Sequence, residues 1–175
     1  MQTIIENLQK HFQVVSYHQQ RENLGFLIAS KEVAVGLITH LRDYEGFAHL
    51  VLLTAVDWIE DEHFQLTYLL HHPERKVDLG VRVMISRENA EMYSIHHLWE
   101  QARTYQRELR EMFGINFPGS PNVDKPFILE GWEDIPPYRR DFDTKQYSED
   151  TYFPRPGRET HDPAEYMKKK LYPNE

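Results

Sequence analysis

Two histidine pairs, His71-His72 and His96-His97, are the residues of this chain whose type and spacing first invite a chemical reading. A metal centre needs several side chains converging on one point. Adjacent residues on a strand point to opposite faces, and adjacent residues on a helix diverge by about 100°. Neither pair can hold one ion without ligands from elsewhere. Carboxylates are the second candidate. Glu60-Asp61-Glu62 reads as a solvated hairpin turn. Glu108 and Glu111 stand among Arg103, Arg107 and Arg110, where ion pairing along a helix explains them better than acid–base chemistry. Asp57, at the end of an apolar run, either faces water or is buried against a partner. An arginine from the C-terminal region is a candidate for that partner. The third cluster is Tyr138-Arg139-Arg140-Asp141-Phe142, which sets two guanidinium groups beside a carboxylate and between two rings. Arginine stacks on rings and binds carboxylates in two-pronged fashion, so this cluster suits a protein interface or a clamp on the chain's own domain.

Composition removes several chemistries. Cysteine is absent, which excludes disulfides, thiolate metal sites, cysteine-held iron–sulfur clusters and a cysteine nucleophile in this chain. No GxGxxG, GxxxxGK, GxSxG or HExxH pattern occurs. The formal net charge is −8, with the acidic excess confined to residues 1–137. An acidic body disfavours binding to a phosphate backbone, so no nucleic-acid partner is expected. The start MQTIIENLQKHFQ has no basic region followed by an apolar core, so it does not read as a signal peptide. No apolar run approaches the ~20 residues that cross a bilayer. A place at a membrane would have to be supplied by other chains.

The elements that carry these residues can be read from periodicity. Ile4, Ile5, Leu8 and Phe12 predict a short helix over residues 2–11. FQVVSYHQQ and LGFLIAS read as a hairpin around Arg21-Glu22-Asn23. Ser30 is placed to cap a second helix whose apolar face is Ala34, Leu37, Ile38 and Leu41. FAHLVLLTAVDWI is almost continuously apolar and predicts a strand covered on both faces. FQLTYLLHH and KVDLGVRVMIS alternate and predict strands with one buried face. Ile95, Leu98, Ala102, Tyr105, Leu109 and Met112 form one stripe, which predicts a helix opening at Ser94, with Gly114 as its C-terminal cap. The fold class expected is α+β: a small mixed or antiparallel sheet of about five strands packed by two to three helices.

After Phe117 the periodicity stops. Nine of the ten prolines lie between Pro118 and Pro173, and proline keeps a segment out of central strands and long helices. The expected organisation is therefore a compact domain over 1–117 and an extended Pro/Tyr-rich arm over 118–175, with a short helix near Ala164–Leu171. Between the two lies Met112-Phe113-Gly114-Ile115-Asn116-Phe117. Either this loop folds back onto its own core, or it is built to meet another protein.

The order LTAVDW, SIHHLW, RELREMFGINFPGSP, Trp132 and PPYRRDF resembles the C-type subunit of respiratory complex I, a family also present as a small subunit of membrane-bound, energy-converting nickel–iron hydrogenases. The likeness covers roughly Leu50 to Phe142. Arg107-Glu108, Met112, Phe113, Gly114 and Ile115 match the family's pattern, with Glu111 where the family has Asp and Gln106 in place of its leading acid. Pro137-Tyr138-Arg139-Arg140-Asp141-Phe142 stands for the family's Pro-Leu-Arg-Lys-Asp-Tyr. The continuation DTKQYSEDTYFPRPGRE is more similar to the hydrogenase branch. The resemblance implies a protein with no cofactor and no catalysis of its own, on the cytoplasmic face of a membrane complex. Its partners would be a large hydrogenase-like chain, the D-type subunit of complex I, and a small iron–sulfur subunit, with membrane subunits reached indirectly. The nickel–iron site and iron–sulfur clusters would sit in those partners. It also implies that Glu108, Glu111, Met112, Phe113, Gly114, Ile115, Phe117, Trp132, Pro137, Tyr138, Arg139, Arg140, Asp141 and Phe142 serve docking. One alternative is the C-type subunit of a complex I-type NADH or ferredoxin:quinone oxidoreductase or of a sulfur-reducing relative. Another, from a different class, is a standalone metal-dependent enzyme.

Overall fold

The structure is a computed structural model and describes residues 2–12, 14–152 and 162–173. The chain divides into two compact units, Met1–Arg139 and Arg140–Glu175. In the first, α1 (Gln2–His11) leads into the hairpin β1 (Val14–Arg21) and β2 (Leu24–Ala29), then α2 (Lys31–Asp43), β3 (His49–Trp58), β4 (His63–His72), β5 (Val77–Ser86) and α3 (Ala102–Phe113). The five strands form one sheet in the order β1-β2-β5-β4-β3. Only the β2–β5 pairing is parallel, so the sheet is mixed and the fold is α+β.

One side of the sheet is the core side. Leu27, Val81, Tyr68 and Leu53 lie in register across four strands, and Ala29, Val83, Leu66 and Ala55 form the next row. All eight are buried, together with Ile4, Ile5 and Leu8 of α1 and Ala34, Leu37, Ile38 and Leu41 of α2. Period two on the strands and period 3.6 on the helices thus meet in one apolar layer. The acidic run Ile59–Asp61 is a single 3-10 turn between β3 and β4, with Glu62 left-handed at φ 57°.

Two elements differ from their sequence pattern. The apolar run predicts that β3 is covered on both faces, but it is an edge strand whose buried positions alternate with exposed ones, among them Val56 at 44% and Trp58 at 42% exposure. Sequence alone cannot separate a run apolar for burial from one apolar at a sheet edge. The stripe predicts that α3 begins at Ser94, but Ser94–Gln101 is a set of turns. Ile95 and Leu98 are buried there as the stripe requires. The backbone leaves the helix because Trp99 Nε1 donates to Ala48 O at 2.8 Å and Gln101 Nε2 donates to Leu50 O.

Residues 118–139 belong to the first unit, with Val123, Phe127 and Leu129 packed against its core. In the second unit, α4 (Thr144–Tyr152) and α5 (Pro163–Leu171) are helical. Asp143 Oδ1 accepts from the N–H groups of Lys145 and Gln146 at 3.0 and 2.9 Å, a side-chain cap that starts α4 in a proline-free interval. Asp162 caps α5 with Pro163 at its first position. The proline-bearing stretch 153–161, read as extended, lies outside the described residues.

Candidate docking surface

The C-terminal turn of α3 organises the residues that the sequence singled out. Gly114 ends the helix in the left-handed region, φ 78°, and its N–H bonds back to the carbonyls of Leu109 and Arg110. A Cβ at this position would lie 3.3 Å from Pro136 Cγ, so glycine is required by conformation and by close approach. The chain then folds back: Asn116 N donates to Ala90 O at 2.7 Å, and Met92 N donates to Asn116 O at 2.9 Å. Met112, Phe113, Ile115 and Phe117 are all buried in the chain's own core. The apolar loop is therefore a core element, and these four side chains support a surface without lying on it.

Glu111 has a role that no local pattern announced. Its carboxylate accepts from three consecutive backbone N–H groups, Phe127 at 2.6 Å, Ile128 at 2.8 Å and Leu129 at 3.0 Å. It ties residues 122–132 to α3. The donors lie 16 to 18 positions downstream, so spacing within the helix, which suggests an arginine partner, could not show them. Trp132, half-buried, donates from Nε1 to Ile135 O at 3.0 Å. A cleft of about 390 Å³ opens beside it, lined among others by Arg110, Asp124, Gly131 and Pro136.

Tyr138 is held from behind. Its N–H donates to Met112 O at 2.9 Å, and its ring meets Phe113 edge-on at 5.7 Å between centroids. Phe113 in turn meets Phe64 at 5.9 Å. The Arg139 and Arg87 guanidinium groups lie 5.6 and 5.5 Å from the Phe64 ring. Arg87 also meets the buried Asp57, with Nε 2.7 Å from Oδ1 and Nη2 donating to Oδ2 at 3.0 Å. This arginine, one partner of Asp57, lies just after β5, 30 positions away. With Pro137 leading into it, Tyr138 stays 59% exposed, and Ile135, three positions before it, is 40% exposed.

Not all the predicted residues fall on this surface. Arg140, Asp141 and Phe142 belong to the second unit, where Phe142 packs on Tyr147 at 5.5 Å. Glu108 is half-buried on the flank of α3. The histidine pairs have ordinary structural partners. His71 Nδ1 lies 2.7 Å from Asp78 Oδ1, buried His72 accepts from Arg75 N at 3.2 Å, and His96 Nδ1 lies 3.0 Å from Ser94 Oγ. Among the described residues, no group of three or more His, Asp or Glu could hold a metal ion, and no helix is long and apolar enough to cross a membrane.

Comparison with known proteins decides the family. Residues 27–148 match the family described as respiratory-chain NADH dehydrogenase, 30 Kd subunit. The chain belongs to this family. It is 29% identical over 142 residues to the C-type subunit of the NADH-quinone oxidoreductase of Moorella thermoacetica, covering 81% of this chain and 95% of that one. It is 30% identical over 140 residues to a C/D-type subunit of the NADH-quinone oxidoreductase of Aquifex aeolicus, covering 79% of this chain but 23% of that longer protein. Among solved structures, the fold matches a chain of the membrane-bound sulfane sulfur reductase, an archaeal respiratory membrane complex, at TM-score 0.78 and 22% identity, covering 92% of this chain and 96% of that one. It also matches Nqo5, solved as a trypsin-resistant fragment (1-134), at TM-score 0.62 and 21% identity, covering 69% of this chain and 97% of that one. The chain is thus a C-type member of the complex I-like oxidoreductases, and the fold it shares with the 30 kDa subunits is the one described above.

Proposed function

We propose that this chain is a docking subunit of a membrane-associated complex I-like oxidoreductase, seated on a large D-type partner at the cytoplasmic face. The observation that carries the reading is Tyr138: its backbone and the back of its ring are fixed on α3 while most of the ring faces solvent, beside exposed Ile135. A pre-ordered aromatic with arginines adjacent is the composition of an interface hot spot. The kind of partner is suggested by relatives whose names join the C and D types in one protein. In this reading the redox groups, a nickel–iron site or quinone chemistry and the iron–sulfur clusters, belong to the partner chains. This subunit contributes position and no catalytic group.

Within that class, the sequence after Phe142 favours an energy-converting hydrogenase. A sulfur-reducing complex is the second reading, favoured by the fold match to the sulfane sulfur reductase over 92% of this chain. Purification of the tagged chain from its host in mild detergent separates them. Nickel with a hydrogenase-like large subunit supports the first, and iron without nickel supports the second. The docking role itself is tested by Arg139→Glu with Arg140→Glu, and separately by Tyr138→Ala. Each variant is expected to keep the Tm of the isolated chain within a few degrees and to lose the large subunit on co-purification. Retention of that subunit by a folded variant would remove these residues from the interface. Trypsin is expected to cut the isolated chain beyond Arg139, by analogy with the trypsin-resistant fragment of Nqo5, and to spare it in the complex.

A further inference from the structure

α1 and α2 cover one face of the sheet, and the side chains that alternate with the buried ones stand on the other. Across that second face, Phe26, Leu69 and Leu52 make one row. Ile28, Arg82, Thr67 and Thr54 make the next, and Met84, Gln65 and Val56 a third. The face that an antiparallel sheet shows to water is ordinarily polar. Here Ile28, Met84, Val56 and Trp58 are each 36–44% exposed. This is why β3 reads as apolar along its whole length: its outward positions hold Leu52, Val56 and Trp58, as its inward ones hold Leu53 and Ala55.

A cation stands at the centre of this face. The Arg82 guanidinium lies 3.9 Å from the centroid of the Phe26 ring. Phe26 leaves no room for a Cβ at Gly80, so glycine there lets the ring lie across β5. Among the described residues the guanidinium has no hydrogen bond or ion pair, and its Nε is shut off from solvent. Asp78, the nearest carboxylate along the strand, meets His71 at 2.7 Å. Arg82 is thus a half-buried charge, set in place by a ring and lacking a counter-charge, in the middle of an apolar surface.

We propose that this face receives a helix of a partner subunit, whose apolar stripe covers Ile28, Met84 and Val56 and whose aspartate or glutamate meets Arg82. Helices are the elements that cover sheet faces in layered folds, and helical spacing sets one carboxylate among apolar side chains. The charge complement comes from Arg82 itself, which binds a carboxylate through two parallel hydrogen bonds. An arginine ringed by apolar contacts is the composition of a binding hot spot, because the ring keeps water from the ion pair. A second copy of this chain is a poorer occupant, since the same face turned on itself about its centre sets Arg82 against Arg82. The inference rests on the docking reading for the existence of a partner complex, and adds to it a surface remote in sequence from Tyr138.

The test is hydroxyl-radical footprinting of the co-purified complex and of the chain released from it, read by mass spectrometry at Met84. Oxidation there is expected to fall about fivefold or more in the complex, because the covered centre of an interface excludes water. A complex that retains the large subunit but leaves Met84 as reactive as in the released chain overturns the covered face and leaves the docking reading standing. A chain that never co-purifies with other subunits overturns both. Protection in the released chain that grows with its concentration assigns the face to a second copy and overturns the partner helix. Arg82→Met, which breaks no hydrogen bond of the isolated chain, is expected to weaken reassociation about tenfold or more. Unchanged affinity overturns the ion pair. Arg82→Lys, treated with a carbodiimide in the complex, is expected to form an amide with an aspartate or glutamate of another subunit, which identifies the helix.

Discussion

Replacing Glu111 by alanine isolates what holds residues 122–132 in place. The carboxylate accepts from Phe127, Ile128 and Leu129 N–H at 2.6, 2.8 and 3.0 Å. Hydrogen bonds to a charged group contribute about 1.5–3 kcal/mol each, so simple addition would give roughly 5–9 kcal/mol. The true loss is smaller, because Ile128 is 68% exposed and its amide regains water once released. Of the three donors, Phe127 and Leu129 sit on half-buried residues and lose most. A net destabilisation of about 2–4 kcal/mol follows, which in a chain of this size lowers Tm by about 5–15 °C. Glu111→Gln keeps one acceptor oxygen and is expected to lose roughly half as much. The assay is thermal unfolding of the three proteins, with amide exchange of residues 127–129 measured alongside. Faster exchange at those amides should appear in both variants before any global change. An alanine variant with wild-type Tm and wild-type exchange at 127–129 would refute the clamp.

Other substitutions probe the supporting layers. Gly114→Ala forces a Cβ at φ 78° and 3.3 Å from Pro136 Cγ, and is expected to cost about 1–2 kcal/mol by denaturant titration. Asp57→Ala removes the carboxylate that Arg87, whose side chain is 13% exposed, meets at 2.7 Å. A loss of about 3–5 kcal/mol is expected, most of it restored in the double variant Asp57→Leu/Arg87→Met. Tyr68 is fully buried, its hydroxyl has no hydrogen-bond partner among the described residues, and burial pushes that hydroxyl above its ordinary value of 10.0. Since the folded state favours the neutral phenol, its contribution is complete below the unfolded pKa of about 10 and is lost as pH rises above it. Tyr68→Phe is therefore expected to leave stability at neutral pH unchanged or up to about 1 kcal/mol higher. It should also raise the pH at which alkaline unfolding begins.

What the sequence determined is local and periodic. Alternation in FQLTYLLHH and KVDLGVRVMIS set β4 and β5 with their buried faces, because a pleated strand sends neighbours to opposite sides. The stripe Ala34, Leu37, Ile38 and Leu41 set α2, and a glycine after Met-Phe set the end of α3, because only that residue enters the left-handed turn without strain. Everything that depends on a distant partner was decided by the tertiary structure. The apolar run of β3 became an edge because, among the described residues, no strand pairs beyond it. Ser94–Gln101 left the helix because Trp99 and Gln101 bond to that edge. Glu111 was claimed by amides 16 to 18 positions away, and Asp57 by an arginine 30 positions away. The Met-Phe-Gly-Ile-Asn-Phe loop, legible in sequence as a set of large apolar residues around a glycine, turned inward because the sheet and α3 left a core for it to complete. Burial removes each such side chain from water wherever a surface exists to receive it, and that surface is defined only once the distant elements have met.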